Sequence, residues 1–291
     1  VKEFYESTNF RQESLDLIDR IDVIVRSFVA QGFRLTVRQL YYQLVAKAII
    51  PNTERSYKNT VRLVNEARLA GLLDWEAIED RTRGFTDRPH WKSGKEILTS
   101  SAKQFHMDMW ENQGRRVFVI VEKEALSGVL EGICYQYDVP LLSARGYPSA
   151  SVLREFAKGT LSKTEKDIVL LHLGDHDPSG IDMTRDLRER LRLLSCDAPF
   201  ELRRIALTME QIEAQRPPPN PAKTTDSRFE DYEEQFGTES WELDALQPAF
   251  LVELVEGNII GEIDQDNWEE REAEIKAIRT KLEKVAKEFK D

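Results

Sequence analysis

Residues 170–180, LLHLGDHDPSG, set two carboxylates, Asp175 and Asp177, directly after an apolar run. Burying an unpaired carboxylate costs several kcal/mol, so a cation, a hydrogen-bonded turn or exposure to water must offset each one. A third carboxylate has the same setting, because Glu122 closes the apolar run RVFVIV in VIVEKEA. Runs this short and this rich in β-branched residues are expected as strands. Residues i and i+2 of an extended segment point the same way, so Asp175 and Asp177 share a side while His176 turns to the other and is not expected as a ligand. In open α/β sheets, ligands occupy the crevice beyond the carboxyl ends of the strands. With the two strands side by side, Glu122, Asp175 and Asp177 converge there, each raising the pKa of the others unless a cation intervenes. An all-oxygen set suits Mg²⁺, with Mn²⁺ as a substitute, since Mg²⁺ takes one or two carboxylates and completes its octahedron with water and phosphate oxygens. An Asp-x-Asp pair alone is more often a turn or a helix cap. Its combination with a strand-end Glu is the more specific signal. Glu124 is the alternative acid of VEKEA, expected on the opposite face or within the following helix.

The elements that must position these groups alternate. RVFVIVE (116–122), VPLLSA (139–144), DIVLLHL (167–173) and FELRRIAL (200–207) read as strands, with helical segments near 124–136, 149–158 and 180–194. This alternation predicts an α/β domain with a mainly parallel sheet, and the near-continuous apolar strands fit a sheet covered on both faces. The prolines of EAQRPPPNPAKTTDSRFEDYEEQFG (213–237) predict a long extended loop. From Ile275 through Ile278, Leu282 and Val285 to Phe289 the apolar spacing is that of a helix packed on its own domain, since two heptads are too few for a coiled coil.

The N-terminal part is α-rich. Leu15, Ile18, Ile21, Ile24, Val25, Phe28 and Val29 have helical spacing. Thr36 is an expected N-cap for VRQLYYQLVAKA, and Thr53 for ERSYKNTVRLVNEARLAG, closed by Gly71. In this last helix Tyr57, Val61, Leu63 and Val64 are expected to face inward, with Arg55, Lys58 and Arg62 on another face. Two helices joined by a short turn, the second carrying a basic stripe, suggest a helix-turn-helix or winged-helix module. The net charge of −11 disfavours a nucleic-acid partner only on average. Residues 205–291 carry 10 Lys/Arg against 22 Asp/Glu, whereas residues 31–70 hold seven basic residues, Arg68 among them, and only Glu54 and Glu66 as acids. Local charge decides contact with phosphate. GFTDRPHWKSG (84–94) reads as a linker. No apolar stretch approaches 18 residues and no basic-then-apolar leader opens the chain, which predicts a soluble, cytoplasmic protein without membrane contact. Cys134 and Cys196 lack CxxC spacing and are expected as reduced structural thiols.

VEKEAL, SARGYPSAS and LLHLGDHDPSGID together resemble the successive motifs of a TOPRIM domain, a metal-binding fold of topoisomerases, primases and some nucleases. The nearest resemblance is to the topoisomerase VI A subunit and its relatives, the meiotic double-strand-break proteins, and within them to the compact stand-alone Mini-A forms of bacterial and viral genomes. RQLYY fits that family's Arg-x-x-x-Tyr pattern at Arg38 and Tyr42, and SWELDAL (240–246) resembles its acidic segment after the TOPRIM core. The likeness spans residues 30 to 260. It implies a winged-helix DNA-binding domain over 1–93 and a TOPRIM domain with a C-terminal extension over 94–291.

The activity implied is Mg²⁺-dependent cleavage of double-stranded DNA through a transient phosphotyrosyl link, with Tyr42 as nucleophile, Arg38 and Glu122 assisting, and Glu122, Asp175 and Asp177 holding the metal. Tyr41 is a rival nucleophile. Arg55, Lys58, Arg62 and Arg68 are the expected DNA contacts, at a nucleoid-associated location. A phenol with a pKa near 10 needs a nearby cation or base to attack at neutral pH, and Arg38, one helical turn before Tyr42, supplies one. The chain has no Gly-rich ATP-binding motif, so any ATPase belongs to a separate subunit. A homodimer is expected, with the tyrosine of one copy working at the metal site of the other. The alternatives are a TOPRIM nuclease using metal-activated water and a non-catalytic DNA-binding regulator.

Overall fold

The computed structural model describes residues 1–79 and 88–290. The linker expected over 84–94 therefore lies partly outside the described residues. The first helix, α1 (Gln12–Val29), buries Ile18, Ile21, Ile24, Val25 and Phe28 along one stripe. Thr36 starts α2 (Val37–Ala46) with a reciprocal cap: its hydroxyl accepts the Gln39 amide while the Gln39 side chain accepts the Thr36 amide at 2.8 Å. Thr53 caps α3 (Glu54–Leu69), accepting the Ser56 amide at 3.1 Å. The three helices close around Ile21, Leu35, Leu40, Leu44 and Leu63. Val61 departs from expectation: it is exposed, because the buried stripe of α3 runs through Thr60, Leu63, Val64 and Ala67. Gly71 ends the helix at φ +69°, where an added Cβ would meet the Phe4 backbone at 3.2 Å.

After α4 (Gly94–Gln104) come β1 (Arg115–Val121), α5 (Glu124–Gln136), β2 (Leu141–Ser143), α6 (Ala150–Phe156), β3 (Asp167–Leu173), α7 (Pro178–Ser195) and β4 (Glu201–Ala206). The four strands form one parallel sheet in the order β2-β1-β3-β4. Val117, Val119, Val121, Val169, Leu171 and Leu173 pack on one face with residues of α5 and of a C-terminal helix, α10 (Pro248–Ile260). Ile120, Ile168 and Leu170 pack on the other with α6 and α7. Both faces are covered, which explains why the strands read as unbroken apolar runs.

The proline-rich segment departs from a uniform loop. It begins inside α8 (Met209–Gln215), contains the two-residue strand β5 (Asn220–Pro221), and ends in α9 (Phe229–Phe236) before β6 (Glu239–Ser240), which pairs antiparallel with β5. Tertiary contact stabilises α9: Tyr232 and Phe236, one turn apart, pack on the His176 ring at centroid distances of 5.6 and 4.8 Å. The last helix, α11 (Gln265–Glu288), packs on α4. Its seam differs from expectation, because Ile275 and Ala286 are buried while Leu282, Val285 and Phe289 are exposed. Both cysteines are free; Cys134 is buried and Cys196 exposed. Among the described residues no helix is long and apolar enough to cross a membrane.

Candidate active site

The parallel pairing of β1 with β3, in register from Arg115↔Asp167 to Val121↔Leu173, brings their C-terminal ends together. The Glu122 amide donates to the Leu173 carbonyl at 2.9 Å, and the Glu122 carboxylate in turn accepts the Asp175 amide at 2.9 Å. Asp177 is the N-cap of α7, accepting the Gly180 amide at 2.6 Å and the Ser179 hydroxyl at 2.9 Å on Oδ1. Asp175 is nearly inaccessible; its Oδ1 accepts the Leu243 amide at 2.8 Å and its Oδ2 lies 2.6 Å from Lys123 Nζ. The three strand-end carboxylates are therefore neighbours but do not form a common cage. Among the described residues no group of three or more His, Cys, Asp or Glu side chains is gathered to hold an ion. The departure has a physical cause: Lys123 and the Leu243 amide occupy both oxygens of Asp175.

His176 faces away from the carboxylates, as its position between them implies. Its Nδ1 lies 2.8 Å from Tyr232 Oη, within the ring cluster that includes Phe236 and Trp241. Its backbone exchanges two 2.9 Å hydrogen bonds with Trp241. That bridge lays SWELDAL along the Asp-x-Asp loop and delivers two more carboxylates. Glu242 accepts hydrogen bonds from Arg38 Nη2, at 2.7 Å, and from Lys123 Nζ, both on Oε2. The Asp244 side chain is completely buried, 3.0 Å from Arg38 Nε. Sequence reasoning passed over Lys123, Glu242, Asp244 and Arg204 as site residues. The signals were present: a Lys beside the strand-end Glu, a second acid-x-acid step, and an Arg inside the apolar run FELRRIAL. Arg204 donates to the carbonyls of Gly174 (3.0 Å), Asp175 and Gly180 (2.9 Å), clamping the loop from below.

Tyr41 and Tyr42 line the same cleft and differ in what surrounds their hydroxyls. Tyr41 donates to Asn52 Oδ1 at 2.9 Å and lies 3.2 Å from the Thr53 carbonyl, so its hydroxyl is committed to the turn between α2 and α3. The Tyr42 ring sits 6.0 Å from the Arg38 guanidinium carbon, as i, i+4 spacing on α2 requires. Arg38, Tyr42, Asn220, Asp177 and Glu242 line one cleft of 640 Å³ within a single chain. Glu54 and Tyr57 of α3 line the same cleft. Lys58 and Arg62 are exposed beside that rim, each paired along the helix, Lys58 with Glu54 at 2.6 Å and Arg62 with Glu66 at 2.8 Å. Arg55 is exposed. Arg68 is engaged locally, stacked on Trp75 and donating to its carbonyl at 3.1 Å. Glu124 lies in the first turn of α5 and pairs with Arg145.

Burial sets the electrostatics. It raises the Glu122 carboxyl above its ordinary value against the pull of the Asp175 amide and Lys123. It also raises Asp175, with Glu122 and Glu242 adding to the effect and Lys123 opposing it, and it raises Asp244. Glu242 goes the other way, because Lys123 and Arg38 outweigh its burial. Arg204 is pushed down to about 10 by burial. Burial, then Glu242 and Asp244, push the Tyr42 phenol up to about 12. Glu122 Oε1 and Asp177 Oδ2 remain without a protein hydrogen-bond partner among the described residues. Carboxylate oxygens are the donor type Mg²⁺ takes, commonly one or two with water completing the shell. No family model matches the chain, and no curated protein matches it.

Proposed function

We propose that the protein is a metal-dependent DNA strand-cleaving transesterase of the topoisomerase VI A type, with a winged-helix-like unit over residues 1–93 and a TOPRIM-like unit over 94–291. The observation that carries this reading is the single cleft in which Tyr42 and Arg38 face Asp177 and Glu242. Mg²⁺ held by Glu122 and Asp177 would polarise the non-bridging oxygens of a bound phosphodiester. The Tyr42 Oη forms a bond to phosphorus as one bridging P–O bond of the DNA breaks. The phenolic proton passes to water in the cleft, and the departing deoxyribose oxygen takes one up. Because the phosphotyrosyl ester replaces one phosphodiester with another, the step is reversible. Burial, Glu242 and Asp244 push the phenol up to about 12 with Arg38 opposing them, so Arg38 is the cation beside the nucleophile that favours its ionised form. Tyr42 takes this role over Tyr41, whose hydroxyl is tied to Asn52.

Arg55, Lys58 and Arg62 contact duplex phosphates beside the cleft, and an ATPase, where needed, is a separate subunit. Cutting both strands calls for two centres, supplied by a homodimer. Tyr42 and Asp177 of one chain line one cleft, which supports a centre built within each chain; a centre shared between the two copies is the alternative. Incubating supercoiled plasmid with the protein and Mg²⁺, followed by denaturing gels with and without protease, tests the reading. A protease-sensitive adduct supports it, and free ends alone point to a water-using nuclease. A mixture of Tyr42→Phe and Asp175→Ala proteins should stay inactive if each centre lies within one chain; regained nicking would show a centre shared between copies.

A further inference from the structure

The parallel sheet ends at β2, an edge that the cleavage site does not use. The Val119 amide donates to the Pro140 carbonyl at 3.0 Å, and the Ala144 amide to the Val121 carbonyl at 2.8 Å. In a ladder, alternate residues turn their N–H and C=O groups to opposite sides of the strand. With Val119 partnered by Leu141 and Val121 by Ser143, Leu141 and Ser143 therefore present theirs to the open edge. No described residue hydrogen-bonds them there. Beside this edge, between β2 and α6, lies a groove of 410 Å³. Its lining is apolar apart from Glu155 and Thr160, and Phe118 and Phe156 meet within it edge to face at 4.9 Å. Val152 lies at its mouth, 39% exposed. At its far end α6 runs into a π-helical turn, Ala157–Leu161, a departure from regular helix that often marks a functional site. An adjoining recess, sharing Glu155 and Gly159 with the groove, is lined by Arg154, Lys158 and Lys163. Among the described residues Arg154 and Lys163 have no ion-pair partner, and Lys158 reaches only Cys196 Sγ, at 3.6 Å.

We propose that the groove between β2 and α6 takes an extended peptide segment of a partner protein. The segment pairs through its backbone with Leu141 and Ser143, sets alternate apolar side chains into the groove, and brings acidic residues to Arg154, Lys158 and Lys163. Strand addition of this kind draws affinity from main-chain hydrogen bonds and specificity from pockets for every second side chain. A small apolar molecule would fill the groove but leave the edge donors and acceptors unused. Pairing of β2 with β2 of a second copy would set the two basic rims side by side. Because β2 is only Leu141–Ser143, the backbone pairing is short and the groove must supply much of the affinity. The proposal is independent of the cleavage reading.

Fluorescence anisotropy of the full chain with a labelled probe peptide, glutamates at both ends and alternating leucine and threonine between them, tests it. The wild type should bind this probe, and absence of binding would overturn the proposal. Two further probes carry N-methyl groups on the leucines or on the threonines, whose amides face opposite edges of the extended peptide. One of them should bind about tenfold more weakly through its lost hydrogen bonds, and equal binding by all three would refute strand addition. Exchanging the terminal glutamates for lysines should weaken binding about fivefold at low salt, and no change would refute the acidic preference. Ser143→Pro removes an outward N–H while sparing the bonds to β1 and should weaken binding about threefold to tenfold. Should that variant fail to fold, Val152→Asp decides. It places a charge at the mouth of the groove, in the first turn of α6 where an acid is tolerated, and should abolish binding; unchanged affinity would refute the proposal. A wild type that is dimeric, becomes monomeric on Ser143→Pro and ignores the probe would assign the edge to a second copy instead.

Discussion

Gly180 is where the site tolerates least. A Cβ added there would lie 2.2 Å from the Asp175 carbonyl oxygen and 3.0 Å from its carbon, against an ordinary contact of 3.4 Å or more. The first turn of α7 and the Asp175 backbone must therefore separate by more than 1 Å in a Gly180→Ala variant. Three hydrogen bonds are anchored at that contact: Gly180 N to Asp177 Oδ1 at 2.6 Å, Arg204 to the Gly180 carbonyl at 2.9 Å, and Leu243 N to Asp175 Oδ1 at 2.8 Å. Overpacking of this kind costs about 1–3 kcal/mol. A weakened N-cap adds about 1 kcal/mol, for a total of roughly 2–4 kcal/mol. At about 2–4 °C per kcal/mol for domains of this size, the melting temperature should fall by roughly 5–15 °C. Mn²⁺ uptake should weaken in parallel, because Asp177 moves with the helix terminus. Gly132→Ala is the control: it lies within α5, where an added Cβ meets nothing within 4 Å, and should be neutral or stabilising by up to about 1 kcal/mol. Thermal melts of both variants decide the matter. A Gly180→Ala protein with wild-type melting temperature and metal uptake would refute the packing argument.

Glu122→Gln should melt higher than wild type at pH 7 in EDTA yet lose Mn²⁺ binding. The wild-type carboxyl is raised in the folded state, so its stabilising contribution is complete below the unfolded value near 4.5 and is lost as pH rises through the folded value. The advantage of the variant should therefore shrink as pH falls from 7 towards 4.5, and a gap that widens instead would contradict the sign. Tyr42→Phe should abolish the covalent adduct with DNA affinity unchanged, while Tyr41→Phe should retain the adduct and lose about 1 kcal/mol of stability with the Asn52 hydrogen bond; peptide mapping of the adduct to Tyr41 would reverse the assignment. Lys58→Glu/Arg62→Glu should weaken binding to all duplexes alike and flatten its salt dependence. Its melting temperature should fall only modestly, since two exposed i, i+4 pairs are exchanged for like-charge neighbours on α3, each worth a few tenths of a kcal/mol; filter binding across a salt series checks the affinity.

Much of the fold was legible because it is written in local, periodic chemistry. The strand runs at 116–122 and 167–173, the caps at Thr36 and Thr53, and the strand-end positions of Glu122, Asp175 and Asp177 all follow from side-chain alternation and backbone hydrogen-bonding needs within a few residues. The separation of His176 from its flanking aspartates follows from the same alternation. What the sequence could not reveal is which distant groups meet those carboxylates. Arg38 reaches Glu242 across 204 positions and Lys123 reaches it across 119, and no periodicity encodes such pairs. The two bonds between His176 and Trp241 bring the second acidic segment in, and only then does Asp175 find Lys123 and the Leu243 amide, which turns an expected ligand into half of a buried ion pair. The same holds for α9, which forms against the His176 ring, and for α11, whose buried side is chosen by α4 rather than by its most apolar stripe. Local propensity sets which elements form. Desolvation sets which charges must pair, and that is decided only when segments far apart in the chain are packed against one another.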